Sequence, residues 1–192
     1  MNQEEGKAKV FYNKHKSKFS FGITIIICLI IAKLITTFVF TSSLVDGDSM
    51  RPTLENGDKG LSDALFFRLT GVKRFDIVVI EVGGQLLVKR IIALPNERIQ
   101  YNNGVLRING EIIEEEFIPE SYAKQTKVID KTMLDDQYFV LGDNRGNSAD
   151  SRSFGAINKS QIKSRGLMIF SKCRSSEGGT CSGLRLVWPY FA

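Results

Sequence analysis

The chain has 192 residues, of which 43% are hydrophobic and 24% charged, and its net charge is +5. This composition is sufficient for a folded core, and it excludes a chain that is disordered throughout. The single histidine, His15, excludes zinc sites built on several histidines, and it excludes any Ser-His-Asp triad that does not use this residue. We expect neither a metal ion nor a cofactor.

The positive charge is concentrated at the N-terminus. Residues 1–18 contain five lysines and two glutamates, whereas the sequence from Asp46 onward contains 20 basic and 19 acidic residues. A nucleic-acid-binding domain would carry its basic excess on the folded part of the chain. We therefore expect no nucleic-acid partner.

An apolar segment follows the basic tail. Residues 21–40 read FGITIIICLIIAKLITTFVF, which is long enough to cross a hydrocarbon core of about 30 Å if Lys33 snorkels. Bulky residues continue up to Thr41, unlike the small residues at the cut of a cleaved export signal. We therefore predict an uncleaved signal anchor, with the lysines before it on the cytoplasmic side. The predicted organisation is a cytoplasmic tail over 1–18, a transmembrane anchor over 19–43 and an extracytoplasmic domain over 44–192.

The pattern beyond the anchor favours short strands. Phe75–Val82 and Gln85–Leu94 are rich in β-branched residues and flank Gly83-Gly84, which predicts a hairpin. Turns of the Asn-Gly type separate further strands, and two short helices are possible. The other predicted strands are 98–101, 105–108, 138–141 and 167–171, and the helices fall within 62–70 and 160–163. The predicted fold is a single transmembrane helix followed by a compact, mainly β domain of antiparallel sheets.

The cysteines and the aromatic residues of the domain leave alternatives open. Cys173 and Cys181 flank a polar, glycine-rich stretch, and an exported domain favours a disulfide between them over two free thiols. Some apolar side chains could either contact lipid or pack in the core. These are Trp188, Tyr190 and Phe191 at the C-terminus, together with Phe66, Phe67 and Leu69.

Ser49 is the first candidate reactive group. It stands in a turn between Gly47, which permits an unusual backbone conformation, and the stiff Pro52. A serine in such a turn can be an exposed nucleophile, although the same residues describe an ordinary turn.

A serine nucleophile needs a base, and the predicted extracytoplasmic domain contains no histidine. A neutral lysine can serve if burial lowers its pKa from about 10.4 to near 7. Lys89 has the most apolar neighbours of any lysine outside the anchor, and Leu87 and Ile91 share its face of the predicted strand.

The segment Gly142–Gly155 is dense in polar residues and follows a predicted strand. It could be a solvent-exposed connection with surface ion pairs, or its charges could form a paired frame around a site. The charged residues of that frame would be Asp143, Arg145, Asp150 and Arg152. The acidic run Glu114–Glu116 is expected to be a solvated face.

Together these segments resemble type I signal peptidases, the membrane-bound serine proteases that remove export signals. Ser49–Leu54 is similar to the nucleophile box of that family, Arg74–Val79 to its next box, Lys89–Pro95 to its general-base box and Gly142–Gly155 to its final box. The boxes occur in the family's order, after one anchor, as in the small enzymes of Gram-positive bacteria.

The resemblance implies a role for each matching residue. Ser49 would be the nucleophile, Lys89 the general base and Ser148 the hydroxyl that orients the lysine amine. The four charged residues of the frame would hold the shape of the site. Some relatives have an oxyanion-binding serine where this chain has Gly47, which leaves backbone donors such as the Ser49 N–H.

The resemblance also implies an enzyme of the plasma membrane. Its substrates would be preproteins with small side chains one and three residues before the cut, and membrane lipid and the export translocon are further candidate partners. Two alternatives remain: a related peptidase that matures a single pilin or conjugation protein, and a membrane-tethered β-domain without catalytic activity.

Overall fold

The computed structural model describes residues 20–33, 39–123, 127–171 and 185–187, and the chain separates into two units, 1–39 and 40–192. The first unit contains helix α1 over residues 20–33, whose apolar side chains are mostly exposed. Within the described ranges, no helix combines the length and the apolar character needed to cross a membrane. His15, the two candidate disulfide cysteines and the C-terminal aromatic residues lie outside the described residues.

The second unit is built on an eight-stranded antiparallel sheet. Its strands are β1 (Phe40–Leu44), β2 (Lys59–Asp63), β3 (Ile77–Val82), β4 (Gln85–Ala93), β9 (Gln137–Leu141), β10 (Ile157–Asn158), β11 (Ile162–Ser171) and β12 (Arg185–Val187). Their order is β1-β2-β11-β3-β4-β9-β10, and β12 also pairs with β11. Strand β4 therefore lies inside the sheet, between β3 and β9.

A four-stranded antiparallel sheet in the order β7-β6-β5-β8 is inserted between β4 and β9. Its strands are β5 (Arg98–Asn102), β6 (Val105–Ile108), β7 (Glu111–Ile113) and β8 (Ile129–Thr132). The short helices of this unit are α2 (Phe66–Thr70), α3 (Glu120–Ala123) and α4 (Ser151–Phe154), with a 3-10 turn at Lys159–Gln161.

The core consists of three clusters of buried apolar side chains. One joins the small sheet to β9 through Tyr101, Leu106 and Phe139, and a second surrounds Val78 and Ile91 in the large sheet. The third lies behind the turn that follows β1. It contains Val45, Met50, Leu54, Ile77, Leu167 and Ile169. Each fully buried side chain of this size stabilises the fold by about 1.5–3 kcal/mol, so the third cluster fixes the turn that carries Ser49.

The mainly β architecture with antiparallel sheets is confirmed. The predicted hairpin is β3–β4, whose register pairs Val82 with Gln85 across Gly83 and Gly84. Both glycines have positive φ angles, 58° and 79°, as the tightest hairpin turns require.

The two predicted helical segments are helical over only part of their length. Ser62 and Asp63 belong to β2, and helix α2 begins only at Phe66, because the Asp63 carboxylate accepts hydrogen bonds from the N–H groups of Leu65 and Phe66. The predicted helix over 160–163 is the 3-10 turn, and β11 begins at Ile162. Residues 40–43, assigned to the anchor by the sequence pattern, lie in β1 instead because they pair with β2.

Of the three apolar residues near α2 for which core packing and exposure were both open, one packs in the core and two are exposed. Phe67 is buried in the second core cluster with 3% of its surface exposed, whereas Phe66 and Leu69 are 53% and 80% exposed. Leu44 and Leu65 are further exposed apolar residues of this unit.

Candidate active site

Ser49 and Lys89 meet although 40 residues separate them in the sequence. Lys89 lies on β4, and its Nζ is 2.7 Å from Ser49 Oγ. Ser49 lies in the turn after β1, where Gly47 has a φ of 89° and its N–H donates to Asn56 Oδ1 at 3.0 Å. The next residue, Met50, is buried, so the turn holds the hydroxyl group towards β4.

Lys89 is 2% exposed. Burial lowers the pKa of its amine from 10.5 to about 8, although the carboxylates of Asp150 and Asp143 oppose this shift; the Arg152 guanidinium lowers the pKa further. A substantial fraction of Lys89 is therefore neutral near pH 8, as a general base requires.

A buried ion pair lies next to this lysine. The Arg90 guanidinium donates to Asp143 from Nε to Oδ1 at 2.8 Å and from Nη2 to Oδ2 at 2.6 Å, and both side chains are buried. Thr53 Oγ1 donates to Asp143 Oδ2 at 2.5 Å, and Arg90 Nη1 donates to the Phe75 carbonyl at 2.9 Å. This cluster ties the nucleophile turn, β4 and the segment after β9 together.

A second ion pair shapes the segment after β9. Asp150 caps helix α4, and its carboxylate accepts from the Gly142 N–H at 3.1 Å and from Arg152 Nε at 2.8 Å. Burial opposes ionisation of Asp150, but the Arg152 guanidinium and the Gly142 N–H hold its pKa below the ordinary value. Asp150 thus stays anionic, and it favours the charged form of Lys89.

A third pair corrects the expectation for the acidic run. Glu115 is 9% exposed and accepts from Arg145 Nη1 at 3.0 Å and from Nη2 at 2.5 Å, whereas Glu114 and Glu116 are exposed as expected. Arg145 also donates from Nε to the Gly142 carbonyl at 3.0 Å. The four charged residues of the predicted frame are therefore all ion-paired around one short segment.

Gly142 lies against the nucleophile turn. A Cβ at this position would lie 2.2 Å from Ser148 Oγ and 2.5 Å from the Ser49 carbonyl oxygen, so only glycine fits here. Sequence reasoning missed the neighbouring Asn144, whose N–H donates to the Ser49 carbonyl at 3.0 Å and whose Nδ2 donates to the Asp48 carbonyl at 3.2 Å. In the sequence, the indication of this role is that Asn144 directly follows Asp143.

Ser148 Oγ is buried beside Gly142. In the described part of the chain, no hydrogen bond joins its hydroxyl group to Lys89; the hydroxyl is one of the groups that lower the pKa of Asp150. Its role in orienting the amine stays a prediction. Among the described residues, no group of His, Cys, Asp and Glu side chains is arranged to hold a metal ion.

The sequence matches known proteins over most of its length. The family model described as signal peptidase, peptidase S26, matches residues 18–171. The chain is 36% identical over 168 residues to signal peptidase I S of Bacillus subtilis (strain 168), which covers 82% of this chain and 91% of that protein. It is 39% identical over 168 residues to signal peptidase I P of Bacillus subtilis subsp. natto, with coverages of 79% and 90%.

A solved structure also aligns with the chain. The crystal structure of a signal peptidase I from Enterococcus faecalis V583 covers 49% of this chain and 95% of its own, at 31% identity and a TM-score of 0.44. On the family model and the curated relatives, the chain belongs to the signal peptidase family, peptidase S26, and is a serine peptidase.

Proposed function

We propose that this chain removes N-terminal signal peptides from exported preproteins, with Ser49 as nucleophile and Lys89 as general base. The observation that carries the proposal is the 2.7 Å contact between Lys89 Nζ and Ser49 Oγ at a lysine whose pKa is lowered to about 8. A neutral amine at this distance can accept the hydroxyl proton directly.

The reaction is acyl transfer. Neutral Lys89 accepts the proton of Ser49 as Oγ attacks the scissile carbonyl carbon. The protonated amine then gives this proton to the leaving nitrogen, the C–N bond breaks, and the signal peptide remains as an ester on Ser49. Lys89 next deprotonates a water molecule that attacks the ester carbonyl, and the proton returns to Ser49 Oγ. A backbone donor such as the Ser49 N–H would stabilise each oxyanion, which is worth about 3 kcal/mol.

The sheet supports binding of the substrate as an extended strand. Strand β4 pairs with β3 from Gln85 to Arg90, but its pairing with β9 covers only Arg90 to Ala93. Within the described residues, the stretch 85–89 therefore has one edge without a partner strand, and this edge leads to Lys89. A peptide could add here by main-chain hydrogen bonds, with specificity from its alternate side chains.

A substrate test addresses this function directly. The full-length protein in detergent should cut a preprotein with an Ala-x-Ala site once, after the second alanine, as N-terminal sequencing of the product would show. Leucine in place of that alanine should abolish the cut, because the site selects small side chains. An intact preprotein would refute the proposed activity, and cleavage of one pilin-like substrate alone would favour the specialised peptidase.

We also propose that the apolar segment over 21–39 anchors the enzyme in the plasma membrane, with the lysine-rich tail in the cytoplasm and the β-unit outside. The charge distribution supports this orientation. The exposed Phe66 and Leu69 are proposed to contact lipid, and the translocon is a candidate neighbour.

The location has its own test. Alkaline extraction should leave the protein in the membrane fraction, and protease added outside intact spheroplasts should degrade the β-unit while an N-terminal epitope tag survives. Release of the protein by alkali, or degradation of the tag, would contradict the proposed anchor or its orientation.

A further inference from the structure

Asn144 contacts the main chain on both sides of the Ser49 N–H. Its own N–H donates to the Ser49 carbonyl at 3.0 Å, and its side-chain Nδ2 donates to the Asp48 carbonyl at 3.2 Å. Resting on the proposed function, we propose that Asn144 is a positioning residue for the oxyanion: it fixes the direction in which the Ser49 N–H points.

The contact with Asp48 acts on this N–H through one peptide bond. The Asp48 carbonyl and the Ser49 N–H belong to the same planar trans peptide group, in which they point in opposite directions. A donor that holds the carbonyl therefore also holds the N–H. Among the described residues, none accepts a hydrogen bond from the Ser49 N–H, so it is available to an oxygen atom of the substrate.

Asn144 is itself held firmly. The residues on either side of it, Asp143 and Arg145, are buried and form ion pairs with Arg90 and Glu115. The amide group of Asn144 therefore reaches the turn from a fixed segment, and a fixed donor loses little conformational entropy when it holds the turn in one orientation.

The turn has no side-chain donor of its own at Gly47, so the proposed oxyanion site depends on a main-chain N–H. The stabilisation that such a donor gives depends on its alignment with the developing charge before the reaction begins. The Gly47 N–H is held by Asn56 Oδ1 at 3.0 Å, and the Arg51 N–H also donates to the Asp48 carbonyl at 3.2 Å. Asn144 adds the contact from outside the turn.

Two substitutions remove the amide donor. Leucine has the branched shape of asparagine without a donor, and the ionised carboxylate of aspartate only accepts hydrogen bonds. Asn144→Leu and Asn144→Asp should each lower kcat for an Ala-x-Ala preprotein about tenfold and leave KM within about twofold, because the contact acts on the transition state. The Arg51 N–H still holds the Asp48 carbonyl in both variants. The matched controls are Asn102→Leu and Asn102→Asp, at an exposed asparagine that ends β5, and they should keep the wild-type kcat.

A peptide aldehyde probes the oxyanion site without turnover. Ser49 Oγ forms a bond to the aldehyde carbon, the π bond of the carbonyl group breaks, and the Ser49 proton passes through Lys89 to the carbonyl oxygen. This oxygen takes the place of the oxyanion, whereas the corresponding peptide alcohol forms no bond to Ser49. Asn144→Leu should raise the inhibition constant of an Ala-x-Ala aldehyde about tenfold and leave that of the alcohol unchanged.

The pH profile distinguishes this role from a displacement of the nucleophile. The midpoint of kcat/KM reports Lys89, whose pKa is lowered to about 8, and Asn144→Leu should not move it. A shifted midpoint, an unchanged kcat, or an equal loss of affinity for the aldehyde and the alcohol would overturn the proposal, while the peptidase activity of the wild type would stand. If the wild type cuts no Ala-x-Ala preprotein, the proposed function itself is refuted.

Discussion

Replacing Lys89 by methionine should lower kcat/KM for an Ala-x-Ala preprotein by at least about a thousandfold, and Ser49→Ala should lower it by as much or more. Methionine is apolar and of similar length, so it suits a position that is 2% exposed, but it cannot accept the Ser49 proton. The matched control is Lys131→Met, which changes an exposed lysine on β8 and should leave the rate unchanged. Wild-type rates in the Lys89→Met variant, at an unchanged circular dichroism spectrum, would exclude the Ser49–Lys89 dyad.

The pH profile is a second measurement on the same pair. Only the neutral amine is a base, and its pKa is lowered to about 8. In the wild type, kcat/KM should therefore rise about tenfold per pH unit below about 8 and level off above it. A profile that is flat from about pH 6 to about pH 9 would show that a different group controls the reaction.

Asp143→Asn should reduce the free energy of unfolding by about 3–5 kcal/mol, because it leaves the Arg90 guanidinium buried without its counter-charge. Urea unfolding of the full-length protein in detergent measures this loss of unfolding free energy. We also expect a lower kcat/KM, since Asp143 joins the nucleophile turn to β4 through Thr53 and Arg90.

The control for this prediction is Asp130→Asn. Asp130 pairs with Arg98 in a similar two-point geometry, 2.8 Å and 2.7 Å, but both side chains are about half-exposed, so the loss of unfolding free energy should be much smaller than for Asp143→Asn. If Asp143→Asn does not fold, Arg90→Met combined with Asp143→Leu removes both charges and should regain most of the stability. Equal losses of unfolding free energy in Asp143→Asn and Asp130→Asn would show that burial does not determine what an ion pair contributes to stability.

The sequence predicted those features that depend on local pattern. The β3–β4 hairpin follows from β-branched runs around Gly83-Gly84, and the apolar neighbours of Lys89 indicated it as the lysine whose pKa burial could lower. The resemblance to a known family then identified the segments that meet in the fold. Ser49 and Lys89 are 2.7 Å apart as that comparison implied, although neither periodicity nor spacing could measure the distance between them.

Features that depend on distant partners were not predictable in this way. Glu115 looked solvated because its neighbours are acidic, but Arg145, 30 residues later, buries it. Residues 40–43 continued an apolar run, and only their pairing with β2 makes them a strand. Asn144 gave no pattern of its own, since its hydrogen bonds run to main-chain atoms of a turn 96 residues earlier.

Lys89 and Arg90 are consecutive residues of β4, opposite Val78 and Ile77 of β3. Since successive side chains of a strand point to opposite faces, a slip of one residue in this pairing would exchange the two cations. An arginine would then face Ser49, and arginine stays protonated at any physiological pH, so it cannot accept a proton. A chain in that alignment would lack the general base, so the register of β3 and β4 is itself a condition for catalysis.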